Sequence, residues 1–138
     1  MQIKQNNPNL ILEIQEWGCY FLSLHYYIEK FKKFRFSISD INNNYHTFVK
    51  LGYMRSNCYI LNPCAVLGRF NINTSIRWEA PTYICLDSEF EVSEVKIKGV
   101  PGYHFMATNN GVVLYDSLEF EDRGREYTLT SKRIFKQA

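Results

Sequence analysis

From Cys19 onward the apolar side chains Phe21, Leu24, Tyr27, Ile28 and Phe31 recur at the spacing of one helical face. That spacing predicts an amphipathic helix with Lys30, Lys32, Lys33 and Arg35 gathered at its last turn, where cations suit the negative end of the helix dipole. A second helix is predicted from Ser39 or Asp40, carrying Ile41, Tyr45, Phe48, Val49 and Leu51 and stopping at Gly52. Asn62-Pro63 supplies an N-cap and a first-turn proline, so Cys64 to Phe70 reads as a short third helix. After Asn73 the pattern changes to short β-rich runs: Ser75 to Glu79, Thr82 to Leu86, Val92 to Ile97, Tyr103 to Thr108 and Val112 to Leu118. A last strand follows, from Arg125 to Thr130 or Ile134. Breaks fall at Ala80-Pro81, Asp87-Ser88, Gly99 to Gly102 and the charged turn Glu121 to Gly124. Helices followed by an antiparallel sheet define an α+β pattern. No repeat or linker interrupts it, so residues 1–138 read as a single domain.

Composition narrows the function classes. Hydrophobic residues make up 46% and charged residues 22%, enough apolar surface for a core, and an aromatic share of 16% argues against disorder. Sixteen basic against fourteen acidic side chains leave a net charge of only +2, short of the basic bias expected of a nucleic-acid binder. The stretch Lys30 to Phe36 interleaves bases with aromatics, but cations at a helix C-terminus with phenylalanines turned inward explain it more simply. No nucleic-acid partner is expected. No apolar run reaches the roughly 18 residues of a membrane span, and Leu10 to Ile14 is too short for a signal-peptide core. The expectation is therefore a cytoplasmic protein without a membrane partner, with Cys19, Cys58, Cys64 and Cys85 as reduced thiols. Their spacing matches no zinc pattern, so neither metal nor cofactor is expected.

Chemistry concentrates at three positions. Cys19 follows Trp17-Gly18 at the start of the first long helix, where unpaired N–H groups and the dipole favour a thiolate. A nucleophilic cysteine needs a histidine base and an acid to orient it. Of the three histidines only His104 falls in a predicted strand, and Asp116 lies on the partner strand of the same hairpin. Their meeting depends on register. A two-residue loop, Asn110-Gly111, pairs Thr108 with Val113, puts His104 opposite Ser117 and turns Asp116 to the other face. A three-residue loop, Asn109-Asn110-Gly111, pairs Thr108 with Val112 and places His104 directly across from Asp116. The three-residue loop is the preferred register, although Asn-Gly also suits the shorter one. His25, six residues after Cys19, points away from it on a helix and reads as a packing or surface residue.

At these residues the chain resembles the papain-like cysteine peptidase superfamily, particularly its compact bacterial branches. Gly-Tyr-His-Phe-Met (102 to 106) followed by Val-Leu-Tyr-Asp-Ser (113 to 117) is similar to a stretch of bacteriocin-processing peptidases. Trp17-Gly18-Cys19-Tyr20 has a looser likeness to the nucleophile region of cell-wall amidases. The resemblance implies a papain-like fold, with N-terminal helices packed on a C-terminal antiparallel sheet. It also implies a Cys19, His104, Asp116 triad that cleaves a peptide, amide or isopeptide bond in a peptide or protein substrate. Gln15 and Trp17 become candidates for support of the oxyanion, beside the backbone N–H of Cys19. The alternative is a catalytically inactive papain-like domain that binds a protein or peptide in the same cleft.

Overall fold

The computed structural model describes residues 1–138. Four helices precede five strands: α1 (Leu12–Trp17), α2 (Cys19–Lys32), α3 (Ile38–Lys50), α4 (Pro63–Gly68), β1 (Thr74–Glu79), β2 (Glu89–Ile97), β3 (His104–Asn109), β4 (Val112–Tyr115) and β5 (Tyr127–Gln137). The architecture is α+β, as the patterning predicts. The strands form one antiparallel sheet in the order β1-β5-β2-β3-β4, so the last strand of the chain lies inside the sheet.

Local chemistry sets the helix ends. Ser37 caps α3 through a reciprocal box, its hydroxyl accepting from the Asp40 N–H while the Asp40 carboxylate accepts from the Ser37 N–H. Asn62 caps α4 by accepting from the Ala65 N–H, ahead of Pro63 in the first turn. The short α1 has no patterned face long enough to announce it. It is separated from α2 by Gly18, where an added Cβ would sit 2.5 Å from the Ile14 carbonyl oxygen and 2.7 Å from Ile14 Cγ2. Only a glycine lets α1 and α2 meet at this angle, and Cys19 owes its place as the first residue of α2 to that break.

The main core lies between the helices and one face of the sheet. Phe21, Leu24, Tyr27 and Ile28 from α2 pack with Phe90, Val92, Ala107 and Phe135 from the strands. The Tyr27 hydroxyl sits against the backbone carbonyls of Glu91 (2.6 Å) and Thr108 (2.9 Å), fixing α2 against β2 and β3. A smaller cluster of Val95, Ile97, Met106 and Phe120 fills the alternate positions of the strands, away from the helices. His25 belongs to the main core. Its Nδ1 bonds the Phe21 carbonyl (2.8 Å) and its Nε2 meets Asn44 (3.1 Å), while burial lowers its pKa to about 4.

Two expectations need correction. Thr82 to Leu86 forms no strand. The segment's polar groups go instead to side chains and to the neighbouring hairpin. The Cys85 N–H bonds Asn110 Oδ1 (2.9 Å), and the Tyr83 carbonyl accepts from Lys132 Nζ (2.8 Å). The predicted strand Val112 to Leu118 ends at Tyr115, because Asp116 turns to accept N–H groups from the segment that follows. No helix is long and apolar enough to cross a membrane.

Candidate active site

Cys19 stands at the N-terminus of α2, half-buried, where the helical ladder is interrupted at Gly18. In an unbroken helix the Gln15 carbonyl would take the Cys19 N–H. Here that carbonyl accepts from Gln5 Nε2 (3.0 Å) instead. The backbone N–H of Cys19 thus stands in the first turn of α2, beside the sulfur.

His104 opens β3, and its meeting with Asp116 is achieved by a register that neither simple loop would give. The hairpin turns on two residues, Asn110 (φ 51°) and Gly111 (φ 87°), both left-handed as a tight hairpin of this twist requires. Asn109 pairs with Val112 and Thr108 with Val113, so the three-residue loop is not formed. The register then slips, and Ala107 pairs with Tyr115. The extra residue is a β-bulge at Leu114, and a one-residue slip transfers every later side chain to the opposite face. The bulge carries Asp116 back to the side of His104.

The contact is short: His104 Nε2 lies 2.7 Å from Asp116 Oδ1, with both side chains buried. Asp116 also accepts from the Leu118 N–H (3.2 Å) and the Glu121 N–H (3.3 Å), and Phe120 packs edge-on against the imidazole at 5.0 Å. Burial would push the Asp116 carboxyl up, but the bond and charge of His104 and the two N–H groups hold it below its usual range. Burial likewise opposes a charged His104. Asp116 on one side and the Cys19 sulfur on the other outweigh it, and the pKa rises to about 9. With Nε2 committed to the carboxylate, Nδ1 is the nitrogen left for the sulfur.

Cys19, His104 and Asp116 are therefore brought together from the start of a helix, the start of a strand and the turn beyond a hairpin. Gln15 is not brought to the sulfur. Its amide turns back along the chain to the carbonyls of Leu10 (2.7 Å) and Pro8 (3.5 Å), so the four-residue spacing before Cys19 does not deliver an oxyanion donor. Trp17 is largely exposed and makes no hydrogen bond at the site. One residue outside the predicted set does matter. Gln5, almost wholly buried, gives its backbone N–H to the Ser117 carbonyl (2.9 Å) and takes the Ser117 hydroxyl on Oε1 (2.7 Å). It thus ties the turn after Asp116 to the carbonyl of Gln15 in α1. Nothing in the polar, Asn-rich run around Gln5 marks it out in the sequence. No group of three or more His, Cys, Asp or Glu side chains is placed to hold a metal ion.

A family model described as "Protein of unknown function, DUF261" matches residues 1–137. No curated protein and no solved structure matches the chain.

Proposed function

We propose that this chain, which belongs to the DUF261 family, is a cysteine hydrolase of papain-like layout that cleaves a peptide, amide or isopeptide bond. The observation that carries the reading is the buried His104–Asp116 bond of 2.7 Å with its ring beside the Cys19 sulfur. A structural histidine has its polar atoms satisfied by the fold, as His25 does. His104 instead has one nitrogen on an acid, and the Cys19 thiol at the start of α2 lies near enough to help raise its pKa.

The chemistry is acyl transfer. The Cys19 thiolate attacks the carbonyl carbon, forming a C–S bond and moving the π electrons onto oxygen. The developing oxyanion is met by the backbone N–H of Cys19, which the break at Gly18 and the Gln5 side chain leave available. As the C–N bond breaks, His104 passes the proton on Nδ1 to the leaving amine. Water then attacks the thioester, giving a proton to Nδ1, and the C–S bond breaks to release the acid and restore the thiolate. Asp116 holds Nε2–H throughout, which fixes the tautomer and supports the imidazolium.

The test is the rate of Cys19 alkylation by iodoacetamide at pH 6, where an ordinary thiol of pKa about 8.5 is almost wholly protonated. Cys19 is expected to react well above the rate of free cysteine, and His104→Ala to abolish the advantage. Equal rates in the two proteins would refute the hydrolase reading and leave a peptide-binding domain.

A further inference from the structure

One row of side chains leads away from the site across the sheet and has no part in the steps above. It starts at Phe105, the residue after His104, whose ring stacks on Tyr20, the residue after Cys19, with centroids 4.7 Å apart. The guanidinium of Arg133 on β5 lies 5.3 Å from the centre of the Phe105 ring and 3.3 Å from that of Trp78 on β1. Register explains the alignment: Phe105 stands opposite Glu94, while Arg133 stands between Val92 and Trp78 two residues along, so the four residues share one face of the sheet on a diagonal across the strands.

The charge on this line is already answered. Arg133 is buried, and its two terminal nitrogens bond Glu94 Oε2 (2.9 Å) and Ser131 Oγ (2.7 Å). It serves as a flat spacer between two rings and has little left to offer an anion. Trp78 closes the row on the outermost strand with 68% of its surface exposed. A guanidinium covers one face of the indole, so a second cation is disfavoured there while a neutral ring is welcome. The platform is rigid, neutral and aromatic, and it connects through stacked groups to the neighbours of both the nucleophile and the base.

We propose that this row is a substrate shelf, on which Trp78 stacks with an aromatic side chain of an extended polypeptide substrate. This inference rests on the hydrolase reading and assigns that site its substrate class. Trp78 lies three strand spacings from β3, about 14 Å, which an extended chain covers in about four residues. The aromatic side chain therefore sits about four residues from the scissile bond.

The experiment uses covalent probes that need no turnover. Peptidyl vinyl sulfones carry Phe, Leu or Asp at the fourth residue from the warhead and glycine elsewhere, and ethyl vinyl sulfone serves as the short control. Second-order labelling of Cys19 is followed by mass spectrometry in the wild type, Trp78→Ala and Trp78→Phe. The wild type is expected to favour the Phe probe over the Asp probe by about tenfold, the value of one good ring contact. Trp78→Ala removes that preference, Trp78→Phe keeps most of it, and neither changes the rate with ethyl vinyl sulfone. Labelling by all probes at one rate, or a Trp78→Ala defect that extends to ethyl vinyl sulfone, overturns the shelf and leaves the hydrolase standing. Failure of ethyl vinyl sulfone to label Cys19 faster than free cysteine overturns the hydrolase and the shelf with it.

Discussion

Strand β3 carries a buried acid–base arrangement near each end. At its far end Thr108 gives its hydroxyl to Glu91 (2.6 Å), which also accepts from Lys132 Nζ (3.0 Å), the Cys85 thiol (3.3 Å) and the Gly111 N–H (3.2 Å). Lys132 gives a further bond to the Tyr83 carbonyl, and Ser93 meets Thr108 at 2.6 Å. Burial alone would raise the Glu91 pKa, but these donors together hold it below the ordinary value. At the near end, His104 and Asp116 are buried almost as fully. The ingredients match and the outcomes differ. Around Glu91 and Lys132 the charged atoms are turned to partners within the fold, so the cluster is sealed. Around His104 one ring nitrogen is left for a sulfur on another element. Burial and a short ion pair are shared by both ends of the strand; a ring nitrogen outside the pair belongs to one.

Substitutions can break that contrast. Lys132→Met strands the Glu91 carboxylate in the interior and is expected to cost about 3–5 kcal/mol in urea unfolding. The folded fraction should alkylate Cys19 at the wild-type rate. His104→Ala should do the reverse, slowing Cys19 alkylation at pH 6 by about a hundredfold while moving the unfolding midpoint less than Lys132→Met does. Gly18→Ala ordinarily favours a helix, but here the new Cβ meets the Ile14 carbonyl at 2.5 Å. The overlap should cost about 1–3 kcal/mol, and because the strain falls at the α1–α2 junction, labelling of Cys19 should slow as well. Gln5→Leu deprives the Ser117 hydroxyl and the Gln15 carbonyl of a partner, about 1–3 kcal/mol in the same unfolding assay.

The gentlest probe of the contrast is pH. His104 is raised above its unfolded value of 6.5 to about 9, so its stabilising effect is complete below 6.5 and is lost as pH rises through 9. Wild-type stability should decline over that window, and His104→Gln should lack that part of the slope. A shared slope in the two proteins would mean that the pair contributes nothing through its charge.

Much of this was legible in the residues. The period from Cys19, the Asn62-Pro63 cap and the switch to strands after Asn73 are local signals, and local chemistry sets those elements. His104 and Asp116 were also legible as a pair, but the route to their contact was not. Asn-Gly at the loop is compatible with two registers, and the bulge at Leu114 that returns Asp116 to its face depends on packing across the hairpin. The β-rich run Thr82 to Leu86 suggests a strand, yet its backbone groups are taken by the side chains of Asn110 and Lys132, which lie far from it along the chain. Gln5 was invisible because a glutamine is marked as buried only by Ser117 and Gln15, which lie far from it along the chain. Gln15 failed as an oxyanion donor for a related reason: spacing places a residue on a helix, while the direction of its side chain is decided by the carbonyls of Leu10 and Pro8.

The placement of β5 between β1 and β2 carries a consequence for the order in which the sheet can assemble. Until residues 127–137 join the sheet, β1 has no flanking strand and Trp78 no guanidinium to lie against, although the helices and the His104 hairpin all precede them in the chain. A chain without that strand keeps Cys19, His104 and Asp116 but leaves β1 severed from β2, so closure of the sheet waits on the strand that comes after all the others in the chain.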